Sequence, residues 1–161
     1  MAKDFKIAWL GCGEYPMQGA INVDIRKLPT VDVVADVREL PFKDGELGGV
    51  ASRNLIEHFS RNEIAPMLKE WVRVIRKGGF VQVETVDAGR LMDKWKELPE
   101  ENLLDGLLGA QTYDENFHKM IFTKEILARF FREAGLTIIK CDQFEYREIP
   151  RIKMVGTLCK S

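Results

Sequence analysis

Apolar residues fall into short runs separated by polar and glycine-rich breaks. Seven of these runs have the length of a strand, near residues 6–10, 20–25, 32–36, 48–52, 80–86, 136–142 and 152–159. Between the fourth and fifth runs the period becomes helical: Ile64, Leu68, Trp71, Val72 and Ile75 recur on one face,. Ser60-x-x-Glu63 reads as a capping box for that helix, which is expected over Asn62–Arg76 with Gly78 stopping it,. Pro66 predicts a late start or a bend, because proline has no N–H to donate. A second helix is expected over Thr123–Ala134, with Ile126, Leu127, Phe130 and Phe131 inward and Gly135 ending it,. Strands alternating with helices predict a mainly parallel α/β sheet.

The spacing between runs is itself informative. Only residues 14–19 join the first two strands, and only 26–31 join the next two. A helical crossover needs at least about 10–12 residues, so these connections are expected to be loops that leave part of one sheet face uncovered. Ile21, Val23 and Val33 then need another cover, either the insertion 87–117 or a second copy in a homodimer. That insertion is expected to hold short helices near 89–98 and 101–108. The chain reads as one domain over 1–161, with 87–117 as a lid or cover.

The first strand stops at Gly11-Cys12-Gly13-Glu14. A Gly-x-Gly turn at a strand end lets a ligand approach the backbone closely, because glycine has no Cβ. Asp24 ends the second strand, where a carboxylate can accept both ribose hydroxyls of an adenosine-type cofactor. A dinucleotide site wants a third glycine where this chain has Pro16, which disfavours a nicotinamide cofactor,.

Further motifs follow in order. They are Asp32-Val33-Val34-Ala35-Asp36-Val37, then Asn54-Leu55-Ile56-Glu57-His58, then Arg73-Val74-Ile75-Arg76-Lys77-Gly78-Gly79. Together with Leu10-Gly11-Cys12-Gly13 they resemble the class I S-adenosylmethionine-dependent methyltransferases of the type-11-like branch, over roughly residues 6–86. Asn116-Phe117-His118-Lys119 and Phe122-Thr123 resemble a later segment of one small branch.

The resemblance implies a Rossmann-like, doubly wound, seven-stranded sheet with an antiparallel last strand. It also implies S-adenosylmethionine as cofactor and S-adenosylhomocysteine as product. Asp36 would meet the adenine amino group and the Val37 N–H a ring nitrogen. The full set of cofactor contacts expected is Gly11, Cys12, Gly13, Glu14, Asp24, Ile25, Asp36, Val37 and Ser52. The acceptor, a small molecule or saccharide, would approach over strands four and five, where Tyr113 and His118 are expected to face it. His118 is the candidate base, and His58 reads as a packed or capping residue.

The chain departs from the family at Trp9, where an acidic residue normally helps hold the methionyl amine, and at Tyr15, Gly48 and Lys77. Glu14 is a candidate replacement for the missing amine contact. These departures keep open a methyltransferase-like binding protein without catalysis, and a nicotinamide-dependent oxidoreductase is the second alternative.

Composition narrows the partners. Among 161 residues, 24 basic and 25 acidic side chains leave no strong field to recruit nucleic acid or an anionic membrane,. No apolar stretch approaches the ~20 residues of a membrane span. Cys12, Cys141 and Cys159 are odd in number and none has metal-ligand spacing, so a reducing cytoplasm and no structural metal are expected,.

Overall fold

In the computed structural model, which describes residues 5–159, the chain forms one sheet of seven strands. Their ranges are β1 (Ile7–Leu10), β2 (Ile21–Asp24), β3 (Val33–Val34), β4 (Leu47–Arg53), β5 (Ile75–Val86), β6 (Thr137–Tyr146) and β7 (Ile149–Thr157). The spatial order is β3-β2-β1-β4-β5-β7-β6. The first five strands pair in parallel, and β7 runs antiparallel to both β5 and β6. This is the expected Rossmann-like sheet, with β1 and β4 side by side where the winding reverses. Ligands of open α/β sheets bind at that switch point.

Two long helices cover one face. Helix α1 (Arg61–Val74) begins one residue earlier than expected and runs through Pro66. Its capping box forms as read: the Glu63 carboxylate accepts from the Ser60 amide at 2.9 Å and from its hydroxyl at 2.7 Å. Helix α4 (Lys124–Glu133) is capped by the Thr123 hydroxyl, which accepts from the Ile126 amide. Ile64, Leu68 and Trp71 of α1 and Leu127 and Phe131 of α4 form one core with Ala8, Leu10, Val50, Val81, Val83 and Ile152. Ile126 packs against this core while remaining half-buried. The Trp71 indole donates to the Val37 carbonyl at 2.9 Å, tying α1 to the loop after β3.

Several boundaries differ from the sequence reading. Helix α1 ends at Val74, and Ile75 is extended (φ −87°, ψ 141°) and pairs with Leu47, so β5 starts five residues early. Gly78 (φ +76°) therefore sits in an irregularity within β5 and does not stop the helix. Strand β3 is two residues long, because the Asp32 carboxylate, not a ladder carbonyl, takes the Asn22 amide (2.8 Å). The β6–β7 hairpin also extends further than its apolar runs. It closes through Arg147 and Glu148, both at positive φ (51° and 66°), in the manner of a tight turn of matching twist,.

The short crossovers are loops, and the segment 35–46 before β4 also carries no helix. Side chains close the first one. Asn22 accepts from the Met17 amide (2.7 Å) and donates to the Met17 and Ala20 carbonyls, and the Trp9 indole donates to the Tyr15 carbonyl (3.1 Å). Trp9, Cys12 and Ala51 form a small second cluster on that side with Ile7, Met17, Ala20 and Val31. Nearby, the Phe5 and Phe80 rings stack 6.1 Å apart over Gly48 and Gly49, where any Cβ would clash with a ring.

Ile21, Val23 and Val33 need no second copy to cover them. Val23 is fully buried in the main core and Ile21 and Val33 pack against it, because they point to the helix-covered face. The insertion lies elsewhere. Helices α2 (Ala88–Asp93) and α3 (Glu100–Leu108) sit at the carboxyl end of β5, where Arg90 and Lys94 pair with Glu145 of β6. No helix among the described residues is long and apolar enough to cross a membrane.

Asn22 is 8% exposed and satisfies three backbone groups of a crossover that has no helix to satisfy them. Asn22→Ala is expected to lower stability by about 1–3 kcal/mol, the cost of leaving such groups unpaired. Urea denaturation should show a lower midpoint with an unchanged slope.

Candidate functional site

Both glycines of the turn after β1 have left-handed backbones, Gly11 at φ +65° and Gly13 at φ +52°. A Cβ on Gly11 would also lie 2.6 Å from Leu55 Cδ1. The turn is held from both sides. Cys12 N–H donates to the Val23 carbonyl (3.1 Å), and the Thr30 hydroxyl donates to the Gly13 carbonyl (2.6 Å). Asp24 completes the frame: Oδ2 accepts the Gly13 amide at 2.8 Å, and Oδ1 accepts the Arg26 amide (3.0 Å) and Nε (3.1 Å). Burial acts to raise the Asp24 pKa. The Arg26 amide and guanidinium and the Gly13 amide outweigh it and hold the carboxyl below its ordinary value.

A cavity of about 390 Å³ opens over the carboxyl ends of β1, β2 and β4. Asp24 and Asp36 stand on its walls, with Ile25, Val37, Leu55 and Phe59 supplying apolar surface. A second cavity of about 340 Å³ adjoins it, bounded by Trp9, Gly13, Glu14, Arg53 and Asn116. Gly11, Arg26, Asn54, His58 and Tyr113 line both, so the two are halves of one cleft. The Arg26 guanidinium lies 5.4 Å from the centre of the Tyr113 ring, bridging the sheet and the insertion across it,.

Charged groups brace the first half. Arg38 grips Asp36 through Nε (3.0 Å to Oδ1) and Nη2 (2.6 Å to Oδ2), and its Nη1 reaches Glu63 at 2.6 Å. The Arg38 bonds pull the Asp36 carboxyl below its usual range against an opposing burial effect. Glu63 is pulled down to about 2, first by the Ser60 hydroxyl and amide and then by Arg38.

Most residues singled out from the sequence meet here. Gly11, Asp24, Ile25, Asp36 and Val37 line the first cavity, Gly11, Cys12, Gly13 and Glu14 the second, and Tyr113 both. Ser52 and His118 line neither. Ser52 is fully buried in β4, on the same side as Val50, and its hydroxyl has no partner.

His118 is turned away because its strand of chain is pinned: its amide donates to the Leu108 carbonyl, and the next two amides donate to the Glu57 carbonyl. Its ring packs edge-on against His58, 5.0 Å between centroids, and it is His58 that reaches the cleft. Burial, with the charge of His58, pushes the His118 imidazole below its ordinary pKa despite the opposing charge of Glu57.

Sequence reasoning missed Arg26, Arg38, Asn54, Leu55, His58 and Lys119 as cleft residues. The available signal was position: Asn54–His58 directly follows β4, at the same sheet edge as Gly11–Gly13. Asn54 itself sits at φ +51°, and its side-chain oxygen accepts from the Arg151 guanidinium.

Residues 16–83 match the family model described as methyltransferase domain, of type 11. No curated protein sequence matches the chain. Among solved structures, the chain is similar to the 1,6-didemethyltoxoflavin-N1-methyltransferase of Burkholderia thailandensis, solved with its substrate and S-adenosylhomocysteine. The TM-score is 0.70 at 13% identity, covering 96% of this chain and 71% of that one. It is likewise similar to a protein of Pyrococcus horikoshii OT3 (TM-score 0.70, 18% identity, 95% and 81% coverage). A SAM-dependent methyltransferase of Archaeoglobus fulgidus gives a TM-score of 0.69 at 15% identity, with 94% and 85% coverage. At these identities the structures show the fold, a Rossmann-like sheet, within which residues 16–83 match the methyltransferase-domain model.

The lowered Glu63 pKa gives a signed prediction. A carboxyl whose pKa falls from 4.5 to about 2 on folding stabilises the protein above about pH 4.5 and loses that contribution as pH falls toward 2,. Wild type should therefore be more stable than Glu63→Gln at pH 6. The difference should shrink steadily below pH 4.5, as read by urea denaturation at a series of pH values.

Proposed function

We propose that the cleft binds S-adenosylmethionine and directs its methyl group to a small-molecule or saccharide-type acceptor. One observation carries this reading: the Gly11–Gly13 turn is fastened by a buried carboxylate at the end of β2, in a chain whose residues 16–83 match a methyltransferase domain. Each half of the cleft falls in the range of about 300–1,000 Å³ that small-molecule sites occupy,.

The residues present fit the adenosine portion. A carboxylate has about four lone-pair sites, and three on Asp24 are occupied by Gly13 and Arg26. Oδ2 keeps one, so Asp24 has capacity for one ribose hydroxyl rather than the two expected from its position. Asp36 and the Val37 N–H stand at the far wall for the adenine edge, with Leu55 and Phe59 giving apolar contact to the ring. Trp9 is committed to the Tyr15 carbonyl, and Glu14, exposed on the second cavity, is the acid available to the methionyl amine.

When bound, the cofactor supplies a methyl group already activated on a sulfonium. The chain's task is then to hold the acceptor in line and exclude water, and proximity supplies most of the rate. Tyr113, Asn116, Arg53 and His58 surround the second cavity and form the acceptor wall. His118 stands behind His58 and takes no proton from the acceptor in this reading.

Calorimetry with S-adenosylmethionine, S-adenosylhomocysteine and NAD tests the assignment. S-adenosylhomocysteine is expected to bind with micromolar affinity, about −8 kcal/mol. Asp24→Ala should weaken it by about 10- to 100-fold, the loss of one hydrogen bond to a charged group. Binding of NAD in place of S-adenosylhomocysteine, or unchanged affinity in the folded variant, would overturn the reading.

A further inference from the structure

At the acceptor wall lies a cluster of which the methyl-transfer reading uses only His58, as a wall residue. Glu57, His58 and His118 each offer one ligand atom, and these atoms lie within 4.8 Å of one another. Two come from the short helical turn after β4, and the third comes from a segment some 60 residues later that docks on the Glu57 carbonyl.

Glu57 is the informative member. It is 2% exposed, and neither carboxylate oxygen has a hydrogen-bond partner among the described residues. The amides of Lys119 and Met120 go to its backbone carbonyl and leave the side chain bare. Its carboxylate attracts the buried Arg151, but that guanidinium donates to Asn54 and lies 3.4 Å from Glu84. A buried carboxylate is normally paired or bound to a metal.

One of the two imidazoles is hydrogen-bonded as a metal ligand commonly is. His58 Nδ1 lies 3.2 Å from the Phe117 carbonyl, and with its proton donated there Nε2 keeps its lone pair. A ligating histidine commonly donates its other N–H to a carbonyl, which sets the tautomer and the ring plane.

We propose that Glu57, His58 and His118 bind a divalent first-row transition-metal ion of the Zn²⁺ class. Two imidazoles and one carboxylate suit such an ion and leave a coordination position for a further oxygen ligand. Because His58 lines both halves of the cleft, that position borders the acceptor wall. Resting on the methyl-transfer reading, the ion would make the preferred acceptor one with an oxygen that binds metal, whose proton a Lewis acid would loosen.

The metal alone is the probe, so the test needs neither cofactor nor acceptor. Untagged, metal-stripped full-length chain is titrated with ZnCl₂ by calorimetry, and with Co²⁺ by absorption spectroscopy to report ligand type. One equivalent should bind, the Co²⁺ spectrum should lack a thiolate charge-transfer band, and Zn²⁺ should raise the melting temperature. Glu57→Gln and His118→Ala should each weaken binding by more than the ~10–100-fold that loss of a supporting hydrogen bond costs. Melting curves in chelator establish that each variant is folded, and His58→Asn serves where one is not. If Glu57 only balances Arg151, Zn²⁺ will leave the wild-type melting temperature unmoved. That result, a thiolate spectrum, or undiminished binding in Glu57→Gln overturns the proposal. Failure here leaves S-adenosylhomocysteine binding as an independent question.

Discussion

Asp24 is the hinge of this architecture. Its carboxylate sits at the end of β2, is almost fully buried, and is shared between the Gly13 amide and Arg26. Through the first bond it fixes the turn that ends β1. Through the second it fixes a guanidinium that reaches across the cleft to Tyr113. A buried ionised group of this kind is stable only because its partners are charged or backbone donors in good geometry. The cleft is shaped by that requirement before any ligand is considered.

The missing crossover helices explain several residues that look out of place in a methyltransferase-like chain. With ten residues and no helix between β1 and β2, the connection leaves backbone groups to side chains: Asn22 takes those of Met17 and Ala20, the Trp9 indole takes the Tyr15 carbonyl, and Asp32 in turn holds Asn22. Trp9 also covers the sheet, within the small cluster that includes Ala51 and Met17. Gly48 and Gly49 lie flat under Phe5 and Phe80 for a related reason: where no helix packs, aromatic rings lie directly on the backbone. The opposite face follows the ordinary pattern, with α1 and α4 burying large side chains against β1, β4, β5 and β7.

The segment after β4 joins the two halves of the molecule. Leu55 packs against Gly11, Asn54 is held by Arg151 from β7, and the Glu57 carbonyl receives the chain that leads into α4. The wall of the cleft is therefore assembled from residues far apart in sequence, and its chemistry depends on how they dock. His118 shows this most directly. As a residue in a polar loop it reads as a candidate base, and as a docked residue it is a partner of His58 and Glu57.

What the sequence determined by itself is what local physics decides. The capping box at Ser60 and Glu63, the Thr123 cap, the glycine turn after β1 and the alternation that makes the sheet each depend on a few neighbouring residues. Counting residues was enough to show that the first crossovers carry no helix, because a helix has a minimum length. The tertiary structure decided what depends on register and on partners from distant strands. Ile75 has helical spacing, yet pairing with Leu47 draws it into β5. Asp24 stands where a ribose-binding acid belongs, but Arg26 and Gly13 take most of its capacity. Ser52 sits at a strand end that suggests a ligand contact, and the side of β4 on which it falls buries it. The strand positions were legible because hydrophobic periodicity is local. Which side chain faces the cleft was not, because that is set by long-range pairing that no single segment encodes.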